Sequence, residues 1–366
     1  MNRTLLIMAG GTGGHIMPGL AVADAMHARG WTIRWLGTSH GMENKLVPKA
    51  GWTLDTIAFA GLRGKGVGHA LRGFSALVRG LWKCFRLIGA MRPAAVLGMG
   101  GYVTVPGGVC AALRGAPLVL MNSDATLLLS NRLLLPFSRR VLFGLPGAVA
   151  GLGRRALWTG CPVRTEITAI TPPAVRFAGR TGPLRILVLG GSLGADVLNR
   201  VVPEALAQLP ARERPEVVHQ AGAAHVTALE ARYLQLGLAA EVLAFIDDIA
   251  ARYCAADLVI CRAGAMTVSE LTAAGIASLL VPLTASTTSH QRENALYLER
   301  AGAALYLPQD RFSAAALAAV LLGLDRERLA GLASCAHALG KPAATTSVAD
   351  ILETVATSKS SAESQA

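Results

Sequence analysis

The chain has 366 residues, room for two domains of roughly 100–200 residues each. A hydrophobic content of 52% excludes a disordered chain and implies a sizeable core. The formal charge of +12 asks for a partner or for general solubility; with aromatics at 5% and no lysine-rich run, anionic phospholipid or phosphorylated substrates fit it better than nucleic acid.

Leu5-Leu6-Ile7-Met8 reads as a buried strand, followed by Ala9 and the cluster Gly10-Gly11-Thr12-Gly13-Gly14-His15. Helical spacing resumes from Ile16 to Gly30. A strand, a glycine loop and a helix in that order make an anion site, because backbone N–H groups and the helix N-terminus converge. His15 is placed to act as a general base or to donate to a phosphate oxygen, with a local backbone cap as the plain alternative. The early apolar run is too short for a signal peptide. Thr32–Gly37 is a second strand.

Val67–Met91 carries a different pattern. Leu71, Phe74, Leu77, Val78, Leu81, Trp82 and Phe85 recur at helical spacing, and Arg72, Arg79 and Arg86 recur every seventh residue, joined by Lys83. A basic amphipathic helix of this kind suits a membrane interface, and equally a helix with its apolar face in the core; Arg63, Lys65 and His69 nearby favour the membrane. Pro93–Leu113 carries no charge, but its glycines and prolines argue for strand, glycine turn and helix over a membrane span. Ala95–Leu97 then leads into Gly98-Met99-Gly100-Gly101-Tyr102, and Leu118–Met121 and Arg140–Phe143 are further strands. The alternation predicts an α/β chain with parallel sheets and ligands beyond the carboxyl ends of the strands.

Thr171–Pro183 reads as a linker. The second half repeats the opening: Arg185–Leu189 precedes Gly190-Gly191-Ser192-Leu193-Gly194, so two Rossmann-like domains are expected. Its other strands are Glu216–His219, Glu241–Ala244, Leu258–Ile260 and Ser278–Val281. After Leu258–Ile260, the small residues of Arg262–Glu270 open a helix suited to phosphate, and Glu270 can pair with ribose hydroxyls or simply complement the helix dipole. His290-Gln291 offers groups for sugar hydroxyls, and Asp247-Asp248 reads as a loop or helix cap. Six cysteines without metal spacing read as free, mostly buried thiols. No Walker lysine, GxSxG elbow or HExxH motif occurs, and no metal site is expected.

Taken together these segments resemble the MurG family of bacterial peptidoglycan N-acetylglucosaminyl transferases. The resemblance runs from Gly10–His15 with Pro18–Ala21 and Trp35–Thr38, through Gly61–Gly66 and Leu97–Val103, to Cys161–Arg164, Gly190–Ser192, Phe245–Asp248 and Cys261–Glu270. It implies a GT-B fold, two Rossmann-like domains facing across a cleft. An acceptor and membrane domain would span 1–163, with a C-terminal helix near 341–357 packing back on it. A UDP-sugar domain would span 164–340, and 358–366 would be a disordered tail. The implied reaction is inverting transfer of N-acetylglucosamine from UDP-N-acetylglucosamine to the muramyl 4-hydroxyl of undecaprenyl-linked lipid I, giving lipid II.

The resemblance assigns donor contacts to Thr12, Gly13, Gly14, Arg164, Ser192, Ile246, Ala265, Met266, Thr267, Val268, Ser269, Glu270, His290 and Gln291. It assigns the acceptor pyrophosphate to Gly13, Gly14, His15, Gly100, Gly101 and Tyr102, with His15 as candidate base. The face carrying Leu71, Arg72, Phe74, Val78, Arg79, Leu81, Trp82, Lys83, Phe85 and Arg86 would meet anionic phospholipid, placing the chain peripherally on the cytoplasmic face of the inner membrane. No tightly bound cofactor is implied; a stimulatory divalent cation and partners among other cell-wall synthesis proteins stay open. The sequence departs from the family at Met121-Asn122-Ser123-Asp124, where His-Glu-Gln-Asn is usual, and at Leu193, where glutamine is usual. Positions two apart in an extended segment face the same way, so Asp124 is expected to replace the missing glutamate in part. A different lipid acceptor, or a non-catalytic sugar-nucleotide binder, is the alternative.

Overall fold

The computed structural model describes residues 3–11, 13–57, 67–191, 194–283 and 289–363, without the side chains at 67–77, 148, 150, 289 and 359–363. The chain forms two compact units, Met1–Arg164 with Pro342–Ala366, and Thr165–Lys341.

The first unit contains β1 (Thr4–Ala9), α1 (Gly13–Ala28), β2 (Thr32–Thr38), α2 (Glu43–Lys49), β3 (Thr53–Ile57), α3 (Val67–Met91), β4 (Ala95–Gly100), α4 (Thr104–Leu113), β5 (Leu118–Asn122), α5 (Leu129–Leu134), β6 (Ser138–Phe143) and β7 (Ala156–Trp158). The second contains α6 (Thr165–Thr168), α7 (Pro173–Phe177), β8 (Arg185–Leu189), α8 (Asp196–Ala207), β9 (Glu216–Gln220), α9 (Val226–Gln235), β10 (Glu241–Leu243), α10 (Ile249–Ala255), β11 (Leu258–Cys261), α11 (Ala265–Ala274), β12 (Ser278–Leu280), α12 (Ser289–Arg300), β13 (Leu305–Tyr306), α13 (Ala314–Leu322) and α14 (Arg326–Leu339). Helix α15 (Ala344–Glu363) belongs to the first unit.

Both sheets are parallel. Their orders are β3-β2-β1-β4-β5-β6-β7 and β10-β9-β8-β11-β12-β13. In each, the order reverses between two central strands, β1 and β4 in one and β8 and β11 in the other. Ligand crevices in open α/β sheets form beyond the carboxyl ends of such strands. Central strands lie under cover on both faces and so read as continuous apolar runs. Leu5, Leu6, Ile7 and Met8 are all fully buried. Leu6 and Met8 share a core layer with Val96, Leu120 and Phe143, onto which Cys84 and Ile88 of α3 pack.

Helix α15 buries Val348, Ala349 and Leu352. Arg29, just past α1, pairs with Asp350 at 2.7 Å and Glu353 at 2.9 Å, and the Trp31 indole donates to Glu353 at 3.1 Å. The helix continues to Glu363, so residues 358–363 are helical where a disordered tail was predicted. The hydroxyls of Thr357 and Ser358 donate to the carbonyls of Glu353 and Thr354, one turn back.

The expected linker is also structured. Within it α7 packs on α14, and buried Arg176 donates to the carbonyls of Thr171, Ala274 and Gly275. Arg180 pairs with the buried Asp257 carboxylate at 2.6 Å. Pro172 and Pro173 open α7, and the arginines of the segment fasten it to the second unit. Strands β3, β7 and β13 went unpredicted; they are short, lie at or near sheet edges, and alternate poorly.

Candidate functional site

In the first unit, the reversal point is built from two glycine turns. The loop after β1 enters α1 at Gly13, and the turn after β4 is Gly100-Gly101. Gly101 has φ +86, and a Cβ there would collide with the Gly10 carbonyl, so the two turns lie backbone to backbone. Buried Thr104 fixes the second turn: its hydroxyl donates to the Gly100 carbonyl at 2.8 Å and accepts from the Gly100 N–H at 3.2 Å. The His15 ring packs over Gly100, where an added Cβ would lie 2.7 Å from Nδ1. That nitrogen is shut off from solvent and has no hydrogen-bond partner among the described residues. Burial pushes the His15 imidazole below its ordinary value of 6.5, while the nearby Asp124 carboxylate and the Met99 backbone act the other way. The ring is therefore neutral at neutral pH, the form a base requires.

Asn122, where the family's glutamate is usual, is fully buried and engaged within its own loop. Its amide donates to the carbonyls of Asp124 and Thr126, and its Oδ1 accepts from the Leu128 N–H and from Asn131. Asp124, only partly buried, acts on His15 through its charge. Tyr102 is 55% exposed beside the glycine turn. Thr12 lies outside the described residues.

The second unit repeats the plan with other groups. Helix α11 starts at Ala265 just beyond β11, and its N-cap is Gly264, which offers no capping side chain. The first-turn N–H groups of Ala265, Met266 and Thr267 are thus suited to an anion. Val268 faces the core, and the Ser269 hydroxyl donates to the Ala265 carbonyl at 2.8 Å, so the side chains of these two are committed to the helix rather than to a donor. Glu270 is only 7% exposed, and the buried Tyr253 hydroxyl donates to its Oε2 at 3.3 Å. Burial and an oriented carboxylate go beyond what dipole complementarity needs. On α12, Asn294 donates to the Ala263 carbonyl at 3.1 Å, tying that helix to the same loop, and the Gln291 Oε1 accepts from the Leu283 N–H. His290 is partly buried.

Ile246 is buried beside the exposed Phe245. Asp248 occupies the N-cap position of α10, but its side chain caps nothing and lies 3.6 Å from Arg252 one turn on. Arg164 is the last residue of the first unit rather than part of the second. Ser192 and Leu193 lie outside the described residues.

Helix α3 spans the predicted residues, but its faces need correction. Leu81 and Phe85 are half-buried and pack on the core, and Lys83 donates to the Thr56 carbonyl at 2.6 Å. Val78, Arg79, Trp82 and Arg86 are exposed, with the Arg86 guanidinium 4.7 Å from the centre of the Trp82 ring. The side chains of Leu71, Arg72 and Phe74 lie outside the described residues. Among the described residues, no helix is long and apolar enough to cross a membrane, and no group of three His, Cys, Asp or Glu is arranged to hold a metal ion.

Two family models match, the glycosyltransferase family 28 N-terminal domain over residues 5–143 and its C-terminal domain over residues 185–355. The chain belongs to glycosyltransferase family 28. Family 28 relatives include the UDP-N-acetylglucosamine--N-acetylmuramyl-(pentapeptide) pyrophosphoryl-undecaprenol N-acetylglucosamine transferase of Herminiimonas arsenicoxydans, 56% identical over 96% of this chain and 98% of the relative. The same-named protein of Chromobacterium violaceum is 54% identical over 97% of this chain and 99% of its own. The crystal structure of Acinetobacter baumannii MurG matches with a TM-score of 0.81 and 33% identity, covering 96% of this chain and 99% of that one. The two-domain GT-B architecture of this glycosyltransferase is thereby established.

Two acting groups escaped the sequence reading. Tyr253 lies far from Glu270 in sequence and carries no motif. Glu43 opens a helix of seven residues, where an acidic residue usually signals nothing beyond the helix dipole.

Proposed function

We propose that this family 28 enzyme transfers N-acetylglucosamine from UDP-N-acetylglucosamine to the muramyl 4-hydroxyl of undecaprenyl-pyrophosphoryl-MurNAc-pentapeptide, lipid I, with inversion, giving lipid II. The likeness to the named transferases over nearly their whole length supports this substrate pair. The observation that carries the mechanism is a neutral imidazole and a carboxylate, His15 and Asp124, beside the paired glycine turns.

The acceptor oxygen attacks the anomeric carbon, and the bond from that carbon to the UDP oxygen breaks. His15 takes the hydroxyl proton, and Asp124 offsets the charge the imidazolium then carries. In the second unit Glu270 holds the ribose hydroxyls, and the first turn of α11 meets the diphosphate, whose negative charge grows as the bond breaks. The backbone at Ile246 meets uracil, and Gln291 and His290 meet the sugar. The N–H groups of Gly13, Gly14 and His15, with the turn at Gly100–Tyr102, receive the acceptor's pyrophosphate.

The exposed face of Val78, Arg79, Trp82 and Arg86 supports peripheral binding to anionic lipid at the cytoplasmic face of the inner membrane. Residues 125–165 add six arginines and no acidic residue, including the exposed Arg139, Arg140, Arg154 and Arg155.

The test is UDP release with a soluble lipid I analogue. Turnover that depends on both substrates is the expected result. Normal donor affinity without turnover would instead support the non-catalytic alternative.

A further inference from the structure

We infer that Glu43 is a positioning residue that sets the glycine loop for the acceptor's pyrophosphate; the inference rests on the reading of that loop given above. Glu43 sits at the start of α2 and is fully buried. Its Oε1 accepts from the Thr38 N–H at 2.8 Å and the Thr38 hydroxyl at 2.6 Å, and its Oε2 accepts from the Gly11 N–H at 3.0 Å. The space it fills is left by glycines: an added Cβ would lie 2.7 Å from Oε1 at Gly10 and 2.6 Å from Cγ at Gly37, and would overlap the carboxylate at Gly41.

All these partners are neutral donors. Burial alone would push the carboxyl up, yet the hydrogen bonds from Thr38, Gly11 and its own backbone outweigh burial and hold it below its ordinary value. A buried anion without a cationic partner is costly unless several donors converge on it. Only the carboxylate can accept all three bonds. A glutamine must turn its amide N–H₂ toward either Thr38 or Gly11, setting donor against donor.

Two consequences reach the site. The Gly11 N–H is spent on Glu43 and is not offered to an anion at this loop, so the first turn of α1 must supply donors in its place. The Gly10 carbonyl backs on Gly101, and His15 packs over Gly100. A loop released from Glu43 therefore disturbs both the pyrophosphate donors and the bed of the candidate base.

The test compares Glu43→Gln with the wild-type full chain, using soluble acceptor analogues with and without the pyrophosphate. The wild type is expected to favour the pyrophosphate analogue. In E43Q, KM for that analogue should rise about tenfold while KM for the one lacking it, donor KM and UDP affinity stay unchanged. Wild type that does not distinguish the two analogues overturns the reading of the loop itself. Wild type that does, with E43Q discriminating equally well, overturns the role of Glu43 alone. So does a parallel loss in donor and acceptor binding with a lowered melting temperature, since that marks a purely structural residue. If E43Q does not fold, Thr38→Val removes one donor and leaves the Gly11 bond. It is expected to raise KM for the pyrophosphate analogue about two- to threefold, and no change there overturns the inference.

Discussion

The two reversal points share a topology and differ in where they keep negative charge. In the first unit, Glu43 is sunk beneath the glycine loop and saturated by backbone and hydroxyl donors, while Asp124 stays partly exposed near His15. In the second, Glu270 rides on the helix whose uncapped N-terminus is the proposed anion site, with one oxygen held by Tyr253. On the proposed function, one fold would support proton transfer in one place and nucleotide holding in the other. What separates them is a few side chains on the surrounding helices and loops, not the sheets. The lesson is that two glycine loops alike in sequence can serve different ligands, and that their neighbours decide which.

Removing the key group from each point should break different kinetic quantities. His15→Asn should lower kcat about a thousandfold with donor KM intact, as loss of a general base does; a preserved kcat would move the base elsewhere. Glu270→Ala should weaken UDP binding about a hundredfold, since two hydrogen bonds to a charged acceptor are lost, and leave acceptor KM alone. A shift in acceptor KM instead would erase the division of labour between the units.

Asp124→Asn sharpens the first point and should cost about tenfold in kcat. The sign of its pH effect is fixed. Asp124 raises the His15 value, so the asparagine variant's imidazole titrates lower and the acidic limb of kcat moves to lower pH. An unmoved limb, or unchanged turnover at saturating donor, removes Asp124 from the mechanism.

A second buried imidazole makes the contrast quantitative. His219 on β9 is fully buried, bonded to the Tyr233 hydroxyl at 2.9 Å, and pushed down to about 3 by burial alone. The unfolded chain protonates this histidine near 6.5 and the folded chain does not, so its cost to stability grows as pH falls from 6.5 toward 3. The slope is about 1.4 kcal/mol per pH unit. Denaturant unfolding across that range should show a shallower loss in His219→Asn, with kcat at neutral pH near that of the wild type.

The central strands and the amphipathic helix were legible because burial on both faces writes long apolar runs, and because helical spacing survives whichever side the residues face. Spacing could not say which face of α3 is covered: Leu81 and Phe85 belong to the stripe that also holds Trp82, and only packing against α4 and the core separates them. The glycine loops and Glu270 were readable as motifs. Glu43 and Tyr253 were not, because neither belongs to a motif and their bonds to Gly11 and Glu270 form only once the chain is folded. Asn122 looked like a loss; it turned out to brace the very loop that presents Asp124.

The docking of α15 has a consequence for how the protein is made. Its salt bridges to Arg29 join the two ends of the chain, and the second unit is inserted between the pieces of the first. On the ribosome, the residues that open the first unit must therefore wait for α15, which is made after the whole second unit, while the second unit can close on itself earlier.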